Sequence, residues 1–265
     1  MKGFGIQLKK SLGIVTIATN KYLGYWEELV LSFDNTNLNL DVNFHVFTDR
    51  VLEANEFHRK IPNKNILIHE ISNYGWPNAT LLRYEIINKF SDSLDEEYLM
   101  HLDADMLFTP DFSNIFNGIN MGNYMSFVLH PGFYRNKGNY KNNLSLERIV
   151  QKLKDIKLLV TLGGIGAWET RKTSSAFVPR GLRKKYFCGA TWFGDRTSFM
   201  NFTKKMEKQV SNDFEKGVIA IWHDESHLNS FTAKNDFKEL SPTFCFDELS
   251  MKSSGIKPAI IAVRK

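Results

Sequence analysis

The chain has 265 residues, 43% of them hydrophobic, and a formal net charge of +5. That length and apolar share exclude a disordered chain and allow one large α/β domain, or two small ones, with a sizeable core. No run approaches the roughly 18 apolar residues of a spanning helix, and the two cysteines, Cys188 and Cys245, make no disulfide framework or zinc knuckle.

From the N-terminus, "MKGFGIQLKKSLGIVTIATN" sets basic residues before an apolar run but lacks a small-residue cleavage site. Residues 13–19 therefore read as a first strand rather than a signal peptide. Residues 22–36 follow with apolar positions at Tyr22, Tyr25, Trp26, Leu29, Val30 and Phe33, which is helical spacing. Residues 42–49 and 65–71 are strand-like. Residues 78–90 read as a helix capped by Asn78. Next comes "EYLMHLDADMLF", an apolar run broken by Asp103 and Asp105. Repeated strand–helix–strand alternation predicts a mostly parallel sheet flanked by helices, with ligands at the carboxyl ends of the strands.

The second half is less regular. Residues 125–130 read as a strand. Residues 145–162 form a strong amphipathic helix, with Leu146, Ile149, Val150, Leu153, Ile156 and Val160 on one face and lysines opposite. The "GGIG" at 163–166 is treated as a flexible turn. Residues 171–185 are basic, serine-rich and read as a mobile loop. Residues 186–194 are small and aromatic, and 197–210 form a helix.

Two stretches carry candidate chemistry. Strand geometry would put Asp103 and Asp105 on one face, and buried carboxylates are costly unless paired or bound to metal. Two readings stay open: the strand ends near Leu102 and the acids cap a surface loop, or the strand end holds a divalent ion on a diphosphate. The second stretch, "IWHDESHLNSF", packs His223, Asp224, Glu225 and His227 behind Trp222. It is either a polar helix start capped by Asp224 or Ser226, or an acid, base or nucleophile site. Its spacing is not that of a zinc protease.

At this point the residues resemble glycosyltransferase family 6. Five motifs match in order: "VFTD" (46–49), "DAD" (103–105), "HPGFY" (130–134), "YFCGATWFG" (186–194) and "WHDESHLNSF" (222–231). The resemblance covers nearly the whole chain from about Leu12 onward. It implies a single GT-A-like α/β domain over 1–265, with a nucleotide-binding half near 12–110 and an acceptor-binding half near 111–265. It implies retaining α-1,3 transfer of N-acetylgalactosamine or galactose from a UDP-sugar to a glycan acceptor. Asp103 and Asp105 match the metal-holding acids, expected to bind Mn²⁺, or Mg²⁺, on the diphosphate. Glu225 matches the nucleophile or stabiliser of an oxocarbenium-like state. Asp224 and His223 match residues on the donor sugar or acceptor, His130 and Trp222 match acceptor positions, Tyr22 a uracil-stacking position, and Arg83 a donor-contacting arginine. Cys188 and Ala190 match the pair that varies with sugar choice, and their small size leans toward N-acetylgalactosamine.

Three departures qualify the match. The family's membrane anchor and stem are not found in this chain, so a bare catalytic domain in the cytoplasm is expected. About 25 residues centred on helix 145–162 look inserted, and their apolar face must pack on the body, a second subunit or a membrane surface, of which the body is expected. The basic C-terminal tail that closes over the diphosphate is largely missing, although Lys265 matches a lysine of that tail, or Arg264 a later arginine. Weaker closure predicts faster UDP release and more donor hydrolysis. The alternatives are a UDP-sugar hydrolase in practice and a catalytically weak carbohydrate-binding protein. No nucleic-acid partner is expected, because the lysine-rich helix lacks interleaved aromatics.

Overall fold

The computed structural model describes residues 10–135, 146–247 and 255–263; Arg264 and Lys265 lie outside them. Seven strands build one sheet: β1 (Ser11–Ile17), β2 (Asp41–Thr48), β3 (Asn65–Glu70), β4 (Tyr98–Leu102), β6 (Met125–Leu129), β7 (Phe187–Asp195) and β8 (Lys238–Leu240). Their order is β3-β2-β1-β4-β7-β6-β8. The first four are parallel, β7 runs antiparallel to β4 and β6, and β8 is parallel to β6. A second sheet pairs β5 (Met106–Phe108) with β9 (Ile260–Ala262) in antiparallel fashion.

The strand sequences read as near-continuous apolar runs because both sheet faces are covered. Alternate residues go to opposite cores. Leu12, Ile14, Val46, Met100 and Phe193 join one cluster, while Val15, Phe47, Leu99 and Trp192 join the other. The predicted α/β class and mostly parallel sheet therefore hold.

Eight helices accompany these strands among the described residues: α1 (Tyr22–Ser32), α2 (Val51–Lys60), α3 (Asn78–Leu81), α4 (Arg83–Lys89), α5 (Phe112–Asn117), α6 (Leu146–Leu162), α7 (Arg196–Glu215) and α8 (His223–Thr232). The expected single helix over 78–90 is two, broken at Leu82 (φ −85°, ψ 2°). Asn78 is the first helical residue rather than its cap; the Pro77 carbonyl accepts from Thr80 and Leu81. α2 lacks a readable apolar stripe because it buries only Ala54 and Phe57.

Two further expectations are corrected. The basic loop 171–185 is packed. Ala176 and Val178 are buried, and the Asp213 carboxylate accepts from the Ser174 hydroxyl and the Ser175 amide, both at 2.5 Å. Helix α6 forms as predicted, but its apolar face does not pack on the body. Leu153 is 61% and Val160 67% exposed. Its polar side holds it instead: Asp155 is clamped by Arg135 at 2.7 and 2.8 Å.

Candidate active site

The parallel part of the sheet changes direction between β1 and β4, since β1 leads outward to β2 and β3 before the chain returns to β4. In such sheets the loops after the strands part at this point and leave a crevice. A cavity of about 400 Å³ lies there. Its wall combines Asn20 and Tyr22 after β1, Trp76 after β3, Arg83 from α4, and Asp103 and Asp105 after β4.

Local backbone geometry sets these groups. β4 ends at Leu102, so the two acids sit in the turn before β5 and not on a strand face. The Asp103 amide donates to the Ala190 carbonyl on β7 (3.0 Å), and the Asp105 carbonyl accepts from Val263 next to β9 (2.8 Å). Asn20 adopts a left-handed conformation (φ 54°), which asparagine tolerates. Its amide donates to Asp49 of the "VFTD" stretch at 2.8 Å, fixing the turn that launches α1 and Tyr22. His223 also has a positive φ (47°) and lies edge-on to Trp76, with ring centroids 5.1 Å apart. Positive φ is uncommon for a residue other than glycine, so the start of α8 is a special backbone position.

Arg83 is the hub. It is 6% exposed and bonds at 3.1 Å to both Asp103 and Asp224. It also donates to the Gly189 carbonyl (3.0 Å) and to His101 Nε2 (3.1 Å). Burial alone would lower the arginine's pKa, but Asp224 and Asp103 reverse this and raise it, so it stays charged. Asp224 is raised to about 6, by burial first, with Arg83 opposing and Asp103 adding to the rise. Glu225 is raised to about 7, again by burial first; the Gly189 amide that donates to its Oε2 (2.8 Å) opposes and Asp224 adds. Burial holds His101 down at about 4, so it is neutral at ordinary pH.

Gly189 makes this approach possible. A Cβ there would meet Glu225 Cβ at 3.2 Å and Asp224 Oδ2 at 3.3 Å. A side chain there would press both acids back by a few tenths of an ångström. Tyr186 completes the enclosure. Its single hydroxyl proton faces two acceptors, the Ala167 carbonyl at 3.2 Å and the Glu225 carboxylate.

Arg83, Asp103, Asp224 and Glu225 thus form one connected set, and Tyr22 and Asp105 line the adjoining cavity. Ala190 is partly exposed on β7, whereas Cys188 is buried with its Sγ on that of Cys245 (2.9 Å). Trp222 is 53% exposed at the start of α8. His130 sits against Phe133 and Tyr186 and is held down at about 4 by burial. Its Nδ1 accepts from the Gly132 amide at 3.0 Å, so the neutral ring carries its proton on Nε2. The structure separates His227 from the others: it is buried beside Gln209 and Asp213. Sequence reading missed His101, Tyr186, Trp76 and Asn20. His101 had a signal, being a polar residue in an otherwise apolar strand two positions before Asp103.

Comparison with known proteins now adds to this geometry. The model of glycosyltransferase family 6 matches residues 4–153 and 164–265. The chain belongs to this family. It is 25% identical to histo-blood group ABO system transferase 2 of Rattus norvegicus over 90% of this chain and 64% of the relative. It is 24% identical to globoside α-1,3-N-acetylgalactosaminyltransferase 1 of Gallus gallus, over 97% and 66% of the two chains. It is 25% identical to the O-antigen biosynthesis glycosyltransferase WbnI of Escherichia coli, over 89% and 88%. The chain thus spans a little under two thirds of the animal relatives. The family match breaks over 154–163, inside α6, where the sequence pattern suggests an insertion.

The chemistry of the donor set can be weighed for a divalent ion. Asp103 and Asp105 offer hard carboxylate oxygens beside a cavity, which suits Mn²⁺ or Mg²⁺ when phosphate oxygens and water complete the shell. Among the described residues no group of three or more His, Cys, Asp or Glu side chains could hold a metal. The protein side of such a site would be the acid pair, Asp103 and Asp105. No helix of the described residues is long and apolar enough to cross a membrane.

Proposed function

We propose that this chain transfers N-acetylgalactosamine or galactose from a UDP-sugar to a glycan hydroxyl, retaining the anomeric configuration and forming an α-1,3 linkage. The observation that carries this reading is the Arg83 hub, which bonds buried Asp224 to Asp103 of a cavity at the carboxyl ends of β1 and β4 and reaches half-buried Glu225 through the Gly189 backbone.

Each residue has a part. Tyr22 offers an aromatic face for the uracil. Asp103 and Asp105 would hold Mn²⁺ or Mg²⁺, which supplies positive charge to the departing diphosphate. Arg83 keeps Asp103 and Asp224 at fixed positions and balances their charge. Glu225 does the central work. Above about pH 7 it is ionised, and the Gly189 amide fixes Oε2. Its carboxylate then stabilises the positive charge that develops at the anomeric carbon, or bonds to that carbon. Asp224, raised to about 6, adds negative charge beside it. Trp222, His223 and the Nε2–H of His130 lie on the side expected to take the acceptor. Cys188 is turned to Cys245, so the room for an acetamido group depends on Ala190.

The test is UDP release from UDP-N-acetylgalactosamine and UDP-galactose, each with Mn²⁺ and with EDTA, beside the Asp105→Asn variant. Turnover that needs Mn²⁺ and falls about 100-fold in the variant is expected. Full turnover in EDTA would detach Asp103 and Asp105 from metal binding. No turnover of either donor by folded protein would overturn the donor assignment.

A further inference from the structure

Helix α6 carries an arrangement that glycosyl transfer does not use. Ile149, Leu153, Ile156 and Val160 recur at i, i+4, i+7 and i+11, which lines them along one helix face. That stripe faces water, with exposures of 43, 61, 56 and 67%. The opposite side is fixed to the body. Asp155 takes two bonds from Arg135 and one from Gln151. Arg180 donates to the Leu159 and Val160 carbonyls, and Leu162 packs with Trp168, Val178 and Tyr186. The rotation of the helix is therefore set, with aliphatic side chains outward. Part of the stripe falls in the stretch that the family match skips, so the shared fold does not demand it.

The charges beside the stripe have one sign. Lys152 and Lys157 lie on its two edges, and both are exposed, as is Lys154. Among the described residues none of the three is in an ion pair, and Asp155, the one acid in 149–162, is turned inward onto Arg135. An outward apolar stripe with basic edges fits an anionic, apolar-cored surface. A second copy of this chain fits poorly, because pairing through the stripe would set lysine edges against lysine edges.

We propose that α6 docks the protein on an anionic phospholipid surface, with Leu153, Ile156 and Val160 among the acyl chains and Lys152 and Lys157 at the phosphates. The helix would lie in the interface without crossing it. This stands independently of the donor and acceptor assigned above.

The test is flotation of the full chain with phosphatidylcholine vesicles, and with vesicles carrying about a third phosphatidylglycerol, at low and high salt. Flotation with the anionic vesicles alone, weakened by salt, is expected. Leu153→Gln with Ile156→Gln should cut the bound fraction about tenfold or more. Lys152→Gln and Lys157→Gln should each cut it about fivefold. All three variants should keep the wild-type melting curve and UDP release. No flotation with anionic vesicles, or flotation unchanged by the Gln variants, would overturn the proposal. So would a dimer that the Leu153→Gln, Ile156→Gln protein loses, without vesicle binding by the wild type.

Discussion

The Arg83 hub and helix α6 depart from ordinary burial in opposite directions. Around Arg83, charged groups sit inside: Arg83 and Asp224 are each only 6% exposed. On α6, six large aliphatic side chains sit outside, four of them in one stripe. Neither arrangement serves stability. Buried charges are costly even when paired, and a solvent-facing aliphatic stripe gains nothing from burial. Each agrees with the partner proposed for it: a charged diphosphate and a developing cation in the first case, a lipid surface in the second. The difference teaches where to look for function, namely at side chains whose environment disagrees with their chemistry.

The largest effect is expected at the hub. Arg83→Met leaves Asp103 and Asp224 facing each other without their shared cation. Removing one partner of a buried ion pair typically costs about 3–5 kcal/mol, so a melting temperature lower by roughly 10 °C near pH 8 is expected. The deficit should narrow below about pH 6, where Asp224 takes up a proton in the wild type as well. An equal deficit at both pH values would mean that the arginine acts through packing and not through charge.

A change on α6 should do far less. Ile156→Glu removes an exposed aliphatic group and should shift stability by no more than about 0.5 kcal/mol. Met100→Ala, in the core under the sheet, should cost about 2–5 kcal/mol by chemical denaturation. If the two costs were similar, α6 would be packed on the body after all.

Sequence reading recovered the sheet because β-branched and aromatic runs alternate with helical spacings, and both faces of each strand are covered. The candidate site rests on a different signal: the acids of "DAD" and "WHDESHLN" leave loop and helix-cap readings open, and the order of the family motifs is what points to them together. What could not be read is relational. Periodicity shows that α6 has an apolar face, but which face turns inward is decided by Arg135, 20 residues away, gripping Asp155. In the same way, nothing local indicates that β7 passes so close to Glu225 that a Cβ on Gly189 would crowd it. The extended reading of residues 103–105 does not hold, because the chain turns after Leu102: Asp103 keeps one bond to Ala190 of β7, and the next strand starts only at Met106.

The central claim is that Glu225 is held in a destabilising environment because catalysis needs it there. Its pKa is raised to about 7 from 4.5. The folded state therefore binds that proton more tightly than the unfolded state, and stability falls as pH rises from about 4.5 to about 7, then levels off. Glu225→Gln removes this loss while still accepting the Gly189 bond. The decisive measurement is the pair of melting temperature and UDP release rate for Glu225→Gln at pH 8. A higher melting temperature with release slowed about 1,000-fold or more is predicted. Wild-type release by the folded variant would contradict the account.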